Sequence, residues 1–145
     1  MMTVKRLTEK DVANIAALET ECFSHPWSEK TVTEHIINPN NGFFGAFVDG
    51  VIVGYGGVCT VLDEAYITNI CTSKSHRRCG AANEILSEIE RFCKSKNCSF
   101  ISLEVRKSNT AAIKLYESHA FSAVGLRKKF YSAPDEDALI YTKRF

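Results

Sequence analysis

The 145-residue chain has no excess of charge of either sign, with 18 Lys and Arg against 17 Asp and Glu. This excludes the broad basic footprint by which proteins hold duplex nucleic acid, and leaves charge recognition to local patches. Its run of three basic residues, Arg127-Lys128-Lys129, reads as a solvated strand end. No apolar stretch nears the ~20 residues needed to cross a bilayer. The start, Met1-Met2-Thr3-Val4-Lys5-Arg6, lacks the apolar block of a secretory signal. The expected location is therefore the cytoplasm, with no membrane partner and no direct nucleic-acid partner. There is no Cys-x-x-Cys pair among the six cysteines, and the four histidines do not cluster with them. No metal is expected, and the thiols should be reduced. Cys59, Cys71 and Cys93 lie in apolar patterns and read as small buried hydrophobes. Cys79 differs, because a thiol beside Arg78 at a helix start can have a lowered pKa and raised reactivity. Repeats and low-complexity segments are also missing, and the length suits a single domain over 1–145, enough to hide roughly 68–70% of the unfolded surface.

What is present is an ordered alternation of strand and helix signals. A strand over Val4 to Leu7 leads to a helix capped by Thr8 or Asp11, with Val12, Ile15, Ala16 and Cys22-Phe23 at helical spacing. Pro26-Trp27-Ser28 opens a second helix with Ser28 as N-cap and Glu29 in its first turn, and Asn38-Pro39-Asn40-Asn41-Gly42 stops it. Asp49-Gly50 between Phe43–Val48 and Val51–Leu62 is a hairpin signal, so antiparallel strands come first. A strand over Ala65–Thr72, a helix to about Lys96 and a strand over Phe100–Arg106 make a strand–helix–strand unit with a parallel pair. A helix from Asn109 to His119 and strands near Ser122–Leu126 and Ala138–Lys143 complete the chain. The fold class is α/β, a mixed central sheet flanked by about four helices.

The stretch Arg77-Arg78-Cys79-Gly80-Ala81-Ala82 separates the Ala65–Thr72 strand from a strongly amphipathic helix. Backbone N–H groups at a helix N-terminus attract an anion, and small side chains let phosphates approach closely. Gly80, Ala81 and Ala82 meet that demand, and the arginines add charge, as a pyrophosphate site requires; the same residues also fit a loop with two solvated arginines. In the helix, Ala82, Ile85, Leu86, Ile89, Phe92 and Cys93 form the core face, while Asn83, Glu84, Ser87, Glu88, Glu90 and Arg91 face water. In Phe100–Arg106, Ile101, Leu103 and Val105 alternate with Ser102, Glu104 and Arg106. Spacing alone makes Glu104 a solvated carboxylate, Tyr116 an aromatic on a core face, Trp27 a hydrophobic staple and Asn109 an N-cap.

The order of elements and four blocks of residues together resemble the GCN5-related N-acetyltransferase (GNAT) superfamily across essentially the whole chain. Its Arg/Gln-x-x-Gly-x-Gly/Ala signature is matched by Arg77, Gly80 and Ala82. Within it the chain is most similar to the ribosomal-protein-alanine N-acetyltransferase (RimI-like) branch. The blocks are Pro26-Trp27-Ser28-Glu29-Lys30-Thr31, Val61-Leu62-Asp63-Glu64-Ala65, Leu103-Glu104-Val105-Arg106 with Ser108-Asn109-Thr110-Ala111-Ala112-Ile113, and Leu115-Tyr116-Glu117-Ser118; Glu136-Asp137-Ala138 looks like the usual tail.

The resemblance implies acetyl transfer from acetyl-CoA to the N-terminal alanine of a small-subunit ribosomal protein, by direct attack of the amine on the thioester. The acceptor could also be another protein N-terminus, a lysine, a polyamine or an antibiotic amine, and a noncatalytic acyl-CoA-binding module is the alternative from another class. The pantetheine is implied along Ile70, Cys71 and Thr72, and the pyrophosphate along Arg77, Arg78, Cys79, Gly80, Ala81, Ala82 and Asn83, with Asn109 also reaching the cofactor. Glu104 is implied as general base, a backbone N–H near Cys71 as oxyanion donor, and Tyr116 as the acid for the departing thiolate. An α-amine with a pKa of about 7.7–8.0 needs such a base at neutral pH. Trp27 and Tyr131 are implied as walls of a peptide groove, with Glu136 and Asp137 suited to arginines in the substrate. The chain departs from the more usual Gly-x-Gly by carrying Gly80-Ala81-Ala82, which bears on cofactor affinity because the second glycine would be free to take positive φ. The oligomeric state is left open between monomer and weak dimer.

Overall fold

The β2–β3 hairpin shows the local logic of the fold. Asp49 and Gly50 both take positive φ, 50° and 79°, the turn that matches the twist of paired strands. In the computed structural model, which describes residues 1–145, seven strands form one sheet in the order β1-β2-β3-β4-β5-β7-β6. They are β1 (Met2–Arg6), β2 (Asn41–Val48), β3 (Val51–Val61), β4 (Glu64–Thr72), β5 (Phe100–Arg106), β6 (Ser122–Tyr131) and β7 (Glu136–Arg144). The helices are α1 (Val12–Cys22), α2 (Glu29–Ile36), α3 (Ala81–Ser95) and α4 (Thr110–Ser118). Only β4 and β5 pair in parallel, and the neighbours on either side are antiparallel. This is the mixed α/β architecture expected from the sequence.

Helix starts follow the capping chemistry in the sequence. Thr8 and Asp11 form a reciprocal capping box on a 3-10 turn leading into α1, the Ser28 hydroxyl accepts from Thr31 N at 3.2 Å, and Asn109 Oδ1 accepts from Ala112 N at 3.2 Å. The sheet divides the apolar residues between two cores. Ile15, Leu18 and Val32 from α1 and α2 bury Phe43, Phe47, Tyr55 and Cys71 on one face. Ile85, Leu86, Ile89 and Cys93 from α3, with Tyr116 from α4, cover Phe44, Ala46, Val58, Ile101 and Leu103 on the other. Alternation along β2 sends Phe43 and Phe44 to opposite cores. Gly56 allows α3 its close approach, since a Cβ there would stand 2.7 Å from Ile85 Cγ2.

Two assignments on α3 are corrected. Glu90, expected to face water, is only 8% exposed, because Lys143 of β7 and His119 after α4 cover it, with His119 Nδ1 2.7 Å from Oε2. Ala81 turns into the core at 2% exposure while Ala82 is half-buried, so of that pair it is Ala81 that joins the apolar face. Cys71 and Cys93 are buried as expected, but Cys59 is only half-buried.

Candidate active site

The parallel pairing of β4 with β5 lasts for three residue pairs, Glu64 with Phe100 to Tyr66 with Ser102, and then stops. A bulge explains the parting. Gly57 of β3 faces Asn69 while Val58 faces Ile67, which leaves Thr68 as an extra residue that bends β4. One edge of Ile67–Thr72 is thereby left without a strand partner, and two cavities open beside it. The smaller, about 100 Å³, lies between the diverging strands and is lined by Ile70, Leu103, Val105, Asn109, Ala112 and Tyr116. The larger, about 330 Å³, reaches the α1–α2 connection and the β6–β7 turn, where Glu19, Phe23, His25, Trp27 and Phe130 line it. Ile67, Thr68, Asn69, Glu104, Arg106 and Tyr131 belong to both.

Glu104 is thus at the junction of two cavities and not merely solvated. Strand alternation buries Leu103 and Val105 and turns Glu104 to the opposite side, half-exposed, where Arg127 Nε of β6 stands 3.5 Å from Oε1. Tyr116 comes from α4 and lines the smaller cavity. Its phenol is pushed well above the usual range by burial first and by nearby Tyr131 second, so it is firmly protonated at neutral pH. Tyr131 ends β6, and its ring lies under the Arg106 guanidinium at 4.5 Å. Arg106 also donates to Pro134 O at 2.8 Å and Ser132 O at 3.1 Å, which ties the β6–β7 turn to β5.

Glu136 and Asp137 do not stand free for arginines of a substrate. Glu136 Oε2 accepts from Ser108 N at 2.6 Å and Oε1 lies 3.4 Å from Arg106 Nη1, and Asp137 Oδ1 accepts from Lys129 N at 2.9 Å. The contact with Ser108, ahead of that with Arg106, holds the Glu136 carboxyl below its ordinary range. Both acids are engaged in shaping the turn.

The loop after β4 carries Arg77, Arg78, Cys79 and Gly80, all exposed. Arg78 has φ 64°, and Gly80, the N-cap of α3, has φ 86°. No side chain caps α3, and an added Cβ at Gly80 would meet nothing within 4 Å. The first-turn N–H groups of this 15-residue helix therefore face open space flanked by two arginines. Ala82 lies inside the helix and not among the positive-φ residues, so of these two signature positions only Gly80 takes the conformation that favours glycine. Cys79 Sγ donates to His76 O at 2.7 Å. Asn83, expected at the anion end, directs Oδ1 to His119 Nε2 at 2.7 Å. Cys71 points its thiol into the core shared with α1, where a hydrogen bond with Cys22 and then burial push it strongly up; it is no thiolate nucleophile.

Sequence reasoning passed over Glu19. It is 1% exposed, and it accepts from Trp27 N at 2.8 Å, from Asn69 Nδ2 at 2.7 Å and from the Tyr55 hydroxyl. The missed signal is positional: Glu19 falls four residues after Ile15, on the apolar face of α1, where a carboxylate needs partners. Its bond to Trp27 N fixes the wall residue beside α2, whose ring lies 4.4 Å from that of His35. Across the mouth of the larger cavity, His25 Nε2 meets Ser132 Oγ at 3.0 Å.

Residues 12–121 match the family described as acetyltransferase (GNAT). The chain is 32% identical to the [ribosomal protein bS18]-alanine N-acetyltransferase of Escherichia coli, over 97% of this chain and 95% of that one. It is also 32% identical to the N-alpha-acetyltransferase RimI of Mycobacterium tuberculosis, over 99% of this chain and 91% of that one. The crystal structure of the E. coli ribosomal-protein-S18-alanine N-acetyltransferase superposes with a TM-score of 0.91 at 29% identity, covering 99% of this chain and 94% of that one. Arabidopsis thaliana NAA60 in complex with acetyl-CoA shares the fold, with a TM-score of 0.89 at 16% identity over the whole of both chains.

Proposed function

This chain belongs to the acetyltransferase (GNAT) family, and on that premise we propose that it transfers acetyl from acetyl-CoA to the N-terminal alanine of a small-subunit ribosomal protein. The observation that carries the reading is the shared wall of the two cavities, with Glu104 exposed to both. A donor thioester in the cleft between β4 and β5 and an amine in the larger cavity would meet at that carboxylate. The E. coli relative, about one-third identical over nearly its whole length and named for this activity, supports the choice of acceptor.

The residues present fit acetyl-CoA. The uncapped N-terminus of α3, the open space at Gly80 and the exposed Arg77 and Arg78 suit a pyrophosphate, as backbone donors and charge require. The unpaired edge of Ile70, Cys71 and Thr72 offers main-chain groups to the amides of a pantetheine, and Asn109 and Ala112 border the same cleft. Acetyl-CoA supplies the activated acyl group.

The protein's part is then proton handling and exclusion of water. Glu104 takes a proton from the incoming ammonium, which frees the lone pair for attack on the thioester. Tyr116, held protonated by its burial, gives its proton to the departing thiolate. That same burial makes the phenol a weaker acid, so the transfer has to be concerted with bond cleavage and not precede it. Trp27 and Tyr131 wall the acceptor cavity. The test is acetyl transfer to a peptide beginning Ala-Arg, its Nα-blocked copy, a blocked lysine peptide and spermidine, with the modified atom read by mass. Modification of the free Ala-Arg terminus alone is expected; transfer to lysine or spermidine overturns the acceptor.

A further inference from the structure

The amide of Asn69 stands where the two cavities meet, and its orientation is fixed from behind. Nδ2 donates to Glu19 Oε2 at 2.7 Å and to the Tyr55 hydroxyl oxygen at 3.1 Å, while that hydroxyl itself donates to Glu19. Both amide hydrogens are thus committed. Turning the amide over would set Oδ1 against a carboxylate, two acceptors with no proton between them. Glu19 and Tyr55 are 1% and 0% exposed, so this base is rigid. Oδ1 is left facing the other way and takes no hydrogen bond within the chain. It is not enclosed either, because the buried side-chain polar atom without a partner is Thr68 Oγ1 on the adjoining bulge. Asn69 therefore presents a lone acceptor to the space it shares with Glu104.

An acceptor-only atom beside a carboxylate suits an ammonium or amine. We propose that Asn69 is a binding residue for the acceptor amine, its Oδ1 accepting one amine N–H while Glu104 receives another, with Glu19 and Tyr55 as positioning residues that keep the amide turned. Two fixed acceptors restrict rotation about the amine's Cα–N bond before attack. This deepens the acyl-transfer reading above and rests on it.

The experiment compares, on the CoA-bound enzyme, the affinity of an Ala-Arg peptide with that of its deaminated copy, in which the α-amine is replaced by hydrogen. The parent should favour the amine by about 10-fold, the scale of a hydrogen bond to a charged group. Asn69→Ala should lower that preference by about threefold or more, the remainder being held by Glu104, while acetyl-CoA affinity and binding of the deaminated peptide stay within about twofold. Asn69→Ser, a smaller polar replacement, gives the same comparison if the alanine variant folds poorly. Glu19→Gln, which confronts the Asn69 amide with another amide, should lower the same preference. Equal weakening of both peptides, or a preference undiminished in the Asn69 variants, overturns the proposal. If the parent acetylates lysine or spermidine instead, the alanine reading fails separately, and that amine with its deaminated copy decides Asn69 by the same ratio.

Discussion

Arg127 Nε lies 3.5 Å from Glu104 Oε1, so the carboxylate at the junction of the two cavities already has a cationic partner from a neighbouring hairpin. The two side chains are 56% and 32% exposed, and an ion pair in that setting is worth at most about 1 kcal/mol. Arg127→Gln should therefore change kcat/KM by no more than about fivefold. Glu104→Gln should lower it by about 10²–10⁴, the usual contribution of a positioned base. Steady-state rates of the two variants make the comparison, and a larger loss in Arg127→Gln would make the arginine part of the machinery.

Tyr116→Phe should retain the fold and acetyl-CoA affinity and lower kcat. The raised phenol also fixes an expectation about pH. Burial favours the neutral phenol in the folded protein, so its contribution to stability is complete below the unfolded value of about 10 and is lost as pH rises beyond it. The parent should lose thermal stability between about pH 10 and 11 more steeply than Tyr116→Phe. Tyr55, also raised by burial first and then by Glu19, will contribute to the slope in both proteins. The rate should rise with pH through about 8 as the α-amine deprotonates, with no loss from Tyr116 below about 10.

At the head of α3 the two small residues should behave differently. Gly80→Ala forces a Cβ into φ 86° and should cost about 1–2 kcal/mol of strain. The added methyl meets no neighbour in the chain, so the strain should appear in urea unfolding, with a further loss of acetyl-CoA affinity in calorimetry where the methyl enters the space proposed for the pyrophosphate. Ala82→Gly, which restores the more usual glycine, should not tighten binding, because that residue is helical.

Glu90 gives a stability test away from the site. Lys143→Met leaves a carboxylate that is 8% exposed with His119 as its remaining partner and should cost about 1–3 kcal/mol in urea unfolding. His119 also reaches Asn83 at the start of α3, so His119→Ala should lower stability as well.

Much of this protein was legible along the chain because the signals are local. Thr8, Ser28 and Asn109 cap the helices that follow them, Asp49-Gly50 turns the hairpin, and the period-2 pattern of Phe100–Arg106 turns Glu104 away from Leu103 and Val105. Residue motifs were enough to indicate the family, since a family is carried by residue identity at fixed spacing.

Other features depended on which segments meet. The Thr68 bulge and the three-residue limit of β4–β5 pairing open the cleft, and no pattern within either strand specifies where a parallel pair ends. Glu90 became buried because β7 and the end of α4 arrive over it, and Glu136 and Asp137 were taken up by Ser108 and Lys129. Glu19 shows the same division within one residue. The sequence set it on the apolar face of α1; only the tertiary structure supplied Tyr55 and Asn69, from two distant strands, and turned Trp27 N of the α1–α2 connection back to it, as the donors that make a buried carboxylate tolerable. Short-range hydrogen bonding and side-chain periodicity are written into consecutive residues, whereas desolvation and its compensation belong to groups that folding brings together.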